Sequence, residues 1–135
     1  MLSVNDRHEE SISFTQNQVQ DFAKVSGDNN PIHLDPEYAK ETIFKKPIVH
    51  GMLAASIFSK ILGTVFPGEG TIYRKQTLSF MAPMYVEELY KISIVIIEID
   101  NKRGSSKLET SIFNSKEELV LSGEAIVYNN VFKSI

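Results

Sequence analysis

Gly51-Met52-Leu53-Ala54-Ala55-Ser56-Ile57-Phe58-Ser59-Lys60-Ile61-Leu62-Gly63 carries a single charge, on Lys60, and apolar side chains on nearly every face. The run is long enough for a helix and too short to span a bilayer, so it predicts a helix buried at the centre of the fold. Gly63 and the Pro67-Gly68 pair are expected to end it. A helix of this kind needs a wrapping, and the chain after Gly70 supplies one, because everything there reads as strand. Residues 71–81 place Ile72, Leu78 and Phe80 in one phase. Residues 88–99 hold Ile92, Ile94, Val95, Ile96, Ile97 and Ile99, a β-branched run suited to burial on both faces. Asn101-Lys102-Arg103-Gly104 is a turn from which 105–114 return as a hairpin, and 118–128 close the sheet with Leu119, Leu121, Ala125 and Val127 in phase. The pattern is one antiparallel sheet around one apolar helix, an α+β arrangement.

On the N-terminal side, residues 11–14 read as a short strand. Thr15 with Gln18 then forms a capping box that opens a helix packing Val19, Phe22 and Ala23 and ending before Gly27. Asp35-Pro36 marks an N-cap followed by proline at the first helical position, predicting a second helix over 36–42 that Lys45-Lys46-Pro47 breaks. At 135 residues, 42% hydrophobic and 23% charged, the chain fits one domain over 1–135. A formal charge of −3 gives no electrostatic reason to expect nucleic acid or an acidic membrane surface. With no cysteine, thiol catalysis and cysteine-ligated metal sites are excluded, and the three histidines, His8, His33 and His50, show no short metal-binding spacing. No metal and no cofactor is therefore expected. The first ten residues are polar and form no signal-peptide core, which makes the cytoplasm the expected location.

Between the first two helices lies the stretch with the most chemistry, Val25-Ser26-Gly27-Asp28-Asn29-Asn30-Pro31-Ile32-His33. Pro31 pushes Asn30 out of the helical region, and Gly27 permits a turn that other residues resist. Asp28 and His33 are thus a carboxylate and an imidazole held on a rigid segment. Such a pair can flank one water molecule, as adding or removing water across a double bond requires. The plainer alternative for the same residues is an Asx-turn followed by a helix cap.

Phe22-Ala23-Lys24-Val25-Ser26-Gly27-Asp28-Asn29-Asn30-Pro31-Ile32-His33, followed by Ala39, closely resembles the signature of the MaoC-like hydratases, the (R)-specific enoyl-CoA hydratases. Pro47-Ile48-Val49-His50-Gly51-Met52-Leu53 resembles that family's entry into its central helix. Tyr73-Arg74-Lys75-Gln76-Thr77-Leu78-Ser79-Phe80-Met81-Ala82-Pro83 is similar to its next strand. The resemblance runs from about Phe14 to Tyr128, and the length is that of the short, single-domain members that feed polyhydroxyalkanoate synthesis. It implies the hot-dog fold, a curled antiparallel sheet wrapped around an apolar helix. It also implies Asp28 and His33 as the catalytic pair, Gly51 as the glycine whose N–H receives the thioester oxygen, and Asn30 and Ser59 as site support. The implied reaction is reversible syn hydration of a trans-2-enoyl-CoA to an (R)-3-hydroxyacyl-CoA, with the carboxylate and the imidazole as base and acid in either order.

The chemistry agrees with the residues. An enoyl thioester becomes electrophilic at Cβ only if charge building on its oxygen is stabilised, and a backbone N–H in the first turn of a helix does this with the helix dipole behind it. Two alternatives share the fold: a dehydratase acting on acyl-carrier-protein substrates, and a non-catalytic acyl-thioester-binding subunit. Retention of Asp28, Asn30, His33 and Gly51 together argues against the latter. His50 reads as a structural histidine satisfied near the helix start. Lys45, Lys46, Arg74 and Lys75 read first as a solvated face, although each is a candidate for the phosphates of coenzyme A. An open sheet edge and a helix with almost no polar face predict a homodimer, and the resemblance implies that the acyl pocket lies along its interface.

Overall fold

The computed structural model describes residues 1–134. Five strands follow one another across an antiparallel sheet in the order β1-β4-β5-β6-β2, and a short β3 also pairs with β6. The strands are β1 (Arg7–Ile12), β2 (Ile72–Gln76), β3 (Ser79–Phe80), β4 (Tyr90–Asp100), β5 (Ser105–Phe113) and β6 (Leu119–Tyr128). The helices are α1 (Gln16–Ser26), α2 (Pro31–Leu34), α3 (Pro36–Lys40) and α4 (Gly51–Thr64). The α+β hot-dog arrangement expected from the sequence is the one observed. Ile92, Ile94 and Ile96 of β4, Leu108 and Ile112 of β5 and Leu121 of β6 are buried against Phe58, Ile61 and Leu62 of α4. Among the described residues no helix is long and apolar enough to cross a membrane.

Local chemistry sets the element ends near the site. The capping box forms as expected, with Thr15 Oγ1 accepting from the Gln18 N–H and Gln18 Oε1 accepting from the Thr15 N–H. Gly27, at φ 81°, stops α1 in a left-handed cap whose N–H reaches the Ala23 carbonyl. Asn30 caps α2 through its side chain, with Pro31 at the first helical position, and Asp35 caps α3 through Oδ1. Helix α3 stops at Lys40, two residues short of the expected 36–42. The Thr42 hydroxyl turns back onto the Ala39 carbonyl, and Lys45 adopts φ 70° before Pro47.

Several expectations need correction. The first strand is Arg7–Ile12 and not 11–14, pairing Arg7 with Val95 and Ile12 with Tyr90. Its run of Arg7, His8, Glu9 and Glu10 hid it, because an edge strand tolerates charge that an inner strand excludes. Gly63 does not end the central helix, which continues to Thr64; Val65 and Phe66 then both donate to the Ile61 carbonyl. That helix is also not buried all round, since Met52, Ser56, Ser59 and Lys60 face outward. The uncharged serines leave this outward face unmarked in the sequence pattern; Ser56 satisfies its hydroxyl on the Leu53 carbonyl.

The predicted strand 71–81 is broken into β2 and β3 by a bend at Thr77, which exchanges bonds with Glu124 of β6. The close approach there needs Gly123, where a Cβ would lie 1.8 Å from the Thr77 carbonyl oxygen. The bend leaves Ile72 (60% exposed) and Phe80 (54%) on an open edge and not in the core.

Candidate active site

The turn between α1 and α2 folds the acid toward the imidazole. Asp28 Oδ1 accepts the Asn30 N–H at 3.3 Å, and Asn30 Oδ1 accepts the Ile32 N–H at 3.3 Å, so two Asx bonds in series set the path from acid to helix. The stretch is the Asx-turn and helix cap of the plainer alternative, and it also brings the carboxylate and the imidazole close together. Polar side-chain atoms of Asp28, His33 and His50 lie within 4.8 Å of one another. Asn30 is seen as the cap of α2 that fixes this spacing.

His33 is buried on α2, and its Nδ1 lies 2.8 Å from the Ile48 carbonyl. A carbonyl can only accept, so Nδ1 carries the proton and Nε2 keeps a free lone pair. Burial lowers the pKa of His33 below its ordinary value of 6.5, and the electrostatic influence of the neighbouring His50 lowers it further; the Ile48 hydrogen bond and Asp28 act in the opposite direction.

His50 is 1% exposed and stacks on His33, with ring centroids 3.9 Å apart at 25°. Its Nε2–H donates to the Asp28 backbone carbonyl at 3.1 Å, and the edge of Phe22 packs on it at 4.8 Å. The sequence reading of a structural histidine satisfied near the helix start holds for Nε2 and not for Nδ1. His50 Nδ1 is buried with no hydrogen-bond partner, and such an unmade bond costs about 1–3 kcal/mol. Asp28, His33 and His50 are residue types that can hold a metal, but their geometry does not suit one. The two imidazoles use one nitrogen each as a donor, and the in-plane lone pairs of near-parallel stacked rings run side by side and do not converge.

Gly51 is the first residue of α4, and its N-cap, His50, makes no side-chain cap bond. Among the described residues no hydrogen bond closes on the Gly51 N–H, as is usual for the first turn of a helix. Asp28, His50 and Gly51 line one cavity of about 480 Å³, whose remaining wall is apolar and includes Phe44, Phe80, Met81, Met84 and Leu121. His33 is not part of that wall and adjoins it through Asp28 and His50. Three of the four methionines, Met52, Met81 and Met84, face this space, a lining able to adapt its shape.

Ser59 is not brought into the site. Eight residues beyond Gly51 at 1.5 Å each, it lies about 12 Å along α4 and is exposed. Of the four cations named from the sequence, Lys46 pairs with Glu88 at 3.8 Å and sits over the Tyr85 ring, and Arg74 sits over Tyr128. Lys75 is exposed, and Lys45, also exposed, directly follows the wall residue Phe44. What the sequence reading missed was the wall contributed by Phe80 and the methionines. The available signal was an apolar Phe80-Met81 pair on a strand too interrupted to be core.

Comparison with known proteins agrees with this geometry. The MaoC like domain family matches residues 4–117. An (R)-specific enoyl-CoA hydratase of Aeromonas caviae is 40% identical over 126 residues, covering 93% of this chain and 94% of that protein. A mitochondrial 3-hydroxyacyl-[acyl-carrier-protein] dehydratase of Arabidopsis thaliana is 35% identical over 128 residues, covering 93% and 76%. The solved structure of the (R)-hydratase from A. caviae involved in PHA biosynthesis superimposes with a TM-score of 0.92, at 40% identity over 95% of this chain and 97% of that one. With its motif stretch, its sheet and its central helix all aligned to proteins of one kind, this chain belongs to the MaoC-like domain family.

Proposed function

We propose that this protein is an (R)-specific 2-enoyl-CoA hydratase, a hydro-lyase that reversibly adds water syn across a trans-2-enoyl-CoA to give an (R)-3-hydroxyacyl-CoA. The observation that carries the reading is the meeting of Asp28 and the Nδ1-protonated His33 beside a cavity that also holds the start of α4 at Gly51. In this reading one member of the pair takes a proton from water while the water oxygen bonds to Cβ. The electrons of the double bond move onto the thioester oxygen, which the Gly51 N–H receives. A proton returned to Cα from the same face completes syn addition. In the reverse direction acid and base exchange roles. Asn30 supports the site as the cap that spaces the pair. The decisive experiment is loss of enoyl absorbance on mixing the protein with crotonyl-CoA, with chiral analysis of the product. Absence of turnover sinks the proposal.

A carrier-protein dehydratase is the second reading, supported by the Arabidopsis relative aligned over 93% of this chain. Turnover of the same acyl group on coenzyme A and on acyl carrier protein, measured side by side, separates the two.

The active form in this proposal is a homodimer. Met52, Phe80 and Met81 are wall residues of the cavity and are also more than half exposed in a single chain, beside the open β2 edge where Ile72 is 60% exposed. A second copy laid along that edge would pair its backbone and cover the outer side of the acyl pocket. A cytoplasmic location belongs to the same proposal, supported by the absence, among the described residues, of any helix long and apolar enough to cross a membrane.

A further inference from the structure

We infer that His50 is a positioning residue that sets both members of the acid–base pair from one buried ring. This rests on the hydratase reading and extends it. The His50 ring touches the pair in two ways. Its Nε2–H holds the Asp28 backbone carbonyl at 3.1 Å, and its face lies 3.9 Å from His33, at 25°. Phe22 packs edge-on against the same ring at 4.8 Å, so it is held between α1 and the start of α4. His33 itself has one directional tether, Nδ1 to the Ile48 carbonyl, about which the ring can still swivel. The stack removes that freedom and fixes where the free Nε2 lone pair points. The Asp28 carboxylate is tied to its own turn by the Asn30 N–H, so its position follows the turn's backbone, and His50 bonds that backbone directly.

Packing alone does not account for a histidine here. An apolar ring would fill the same space without leaving Nδ1 buried and unpartnered. What histidine adds is a flat face combined with one donor, and both are used on the pair.

Two variants divide these contributions. His50→Phe keeps the ring and loses the donor; His50→Gln keeps a donor and loses the ring. Each is expected to lower kcat on crotonyl-CoA about tenfold with KM changed less than about threefold, circular dichroism showing a folded chain. In a His33→Ala background His50→Gln is expected to cost less than about twofold, because there is no longer an imidazole to align. Full kcat in both single variants, a rise in KM at constant kcat, or an undiminished cost in the His33→Ala background overturns the inference. If the His50 variants do not fold, Phe22→Leu loosens only the far side of the ring. Lowered kcat at constant KM supports the positioning role there, and unchanged kcat overturns it. A wild-type protein inactive on crotonyl-CoA sinks the hydratase reading itself, whereas an active wild type with fully active variants sinks only this inference.

Discussion

The ring of Phe80 occupies the space that a side chain at Gly51 would need: a Cβ built there lies 2.6 Å from both Cδ1 and Cε1 of the phenylalanine. An edge strand and a helix N-terminus are thereby locked together at the point where the proposed oxyanion donor sits. The absence of a Cβ at residue 51 serves the packing of β3 on α4 as well as the proposed approach of a thioester.

Gly51→Val is therefore expected to push the Phe80 ring aside and crowd the cavity. Phe80 is exposed on its other side, so the ring has somewhere to go and the fold survives. The predicted result is a loss of turnover on crotonyl-CoA with a circular dichroism spectrum like that of the parent. Gly51→Val with unchanged kinetics would remove the oxyanion role. Phe80→Ala in the Gly51→Val background should recover part of the loss if the ring is the obstacle.

Asp28→Asn keeps shape and removes a base, and His33→Ala removes its partner; each should lower kcat by a factor of about a hundred or more. Their stability effects differ. Asp28 is exposed and its substitution should leave the unfolding midpoint in place. His33 is buried and donates to the Ile48 carbonyl, so His33→Ala leaves that acceptor unpaired, at a cost of about 1–3 kcal/mol. Turnover and urea midpoints of the two variants, measured together, check both halves.

Helix α4, the β4–β5–β6 run and the acid–base stretch were legible because each leaves a local mark: an apolar run, β-branched residues, or a glycine and a proline bracketing an acid. Strand β1 was not, because an edge strand can be charged, and neither was the Thr77 bend, which depends on Gly123 of β6 being small. The site was half legible for the same reason. Asp28 and His33 are five residues apart and share one turn, so spacing alone suggests them. His50 reaches them only because the Ile48 and Val49 backbones tie the segment before α4 to His33 and to Met84. No local pattern announces a contact made by folding.

Stability should depend on pH through His33. Its pKa is lowered in the folded state, first by burial, so between its ordinary value of 6.5 and the folded value the unfolded chain binds more protons than the native one. The stabilisation is complete above 6.5 and declines as pH falls from there through the folded pKa. Glu10, whose pKa is lowered chiefly by its hydrogen bond with His8 and also by Lys60, adds a similar decline only below its ordinary 4.5. Urea unfolding at about pH 7.5 and about pH 5.5 should show a drop for the parent that is smaller in His33→Gln. Equal drops would assign the effect to other groups.

The proposed homodimer makes the sharpest demand on the open edge. Ile72 sits on β2 opposite Tyr128 of β6, with its other side unpaired, and it is 60% exposed. The opposite edge, β1, carries Arg7 and Glu9 as exposed charges on either side of half-buried His8, a pattern that resists pairing with another copy. Ile72→Lys should therefore disrupt association through β2 while changing the stability of the isolated chain by no more than about 0.5 kcal/mol, as for an ordinary surface substitution. Light scattering at micromolar concentration is expected to show the parent at twice the 15.2 kDa chain mass and the variant at the single-chain mass. Turnover should fall with it, because Met52, Phe80 and Met81 lose the cover that closes the acyl pocket. A parent that is monomeric and fully active would end the dimer proposal. A variant that stays dimeric would move the interface away from β2.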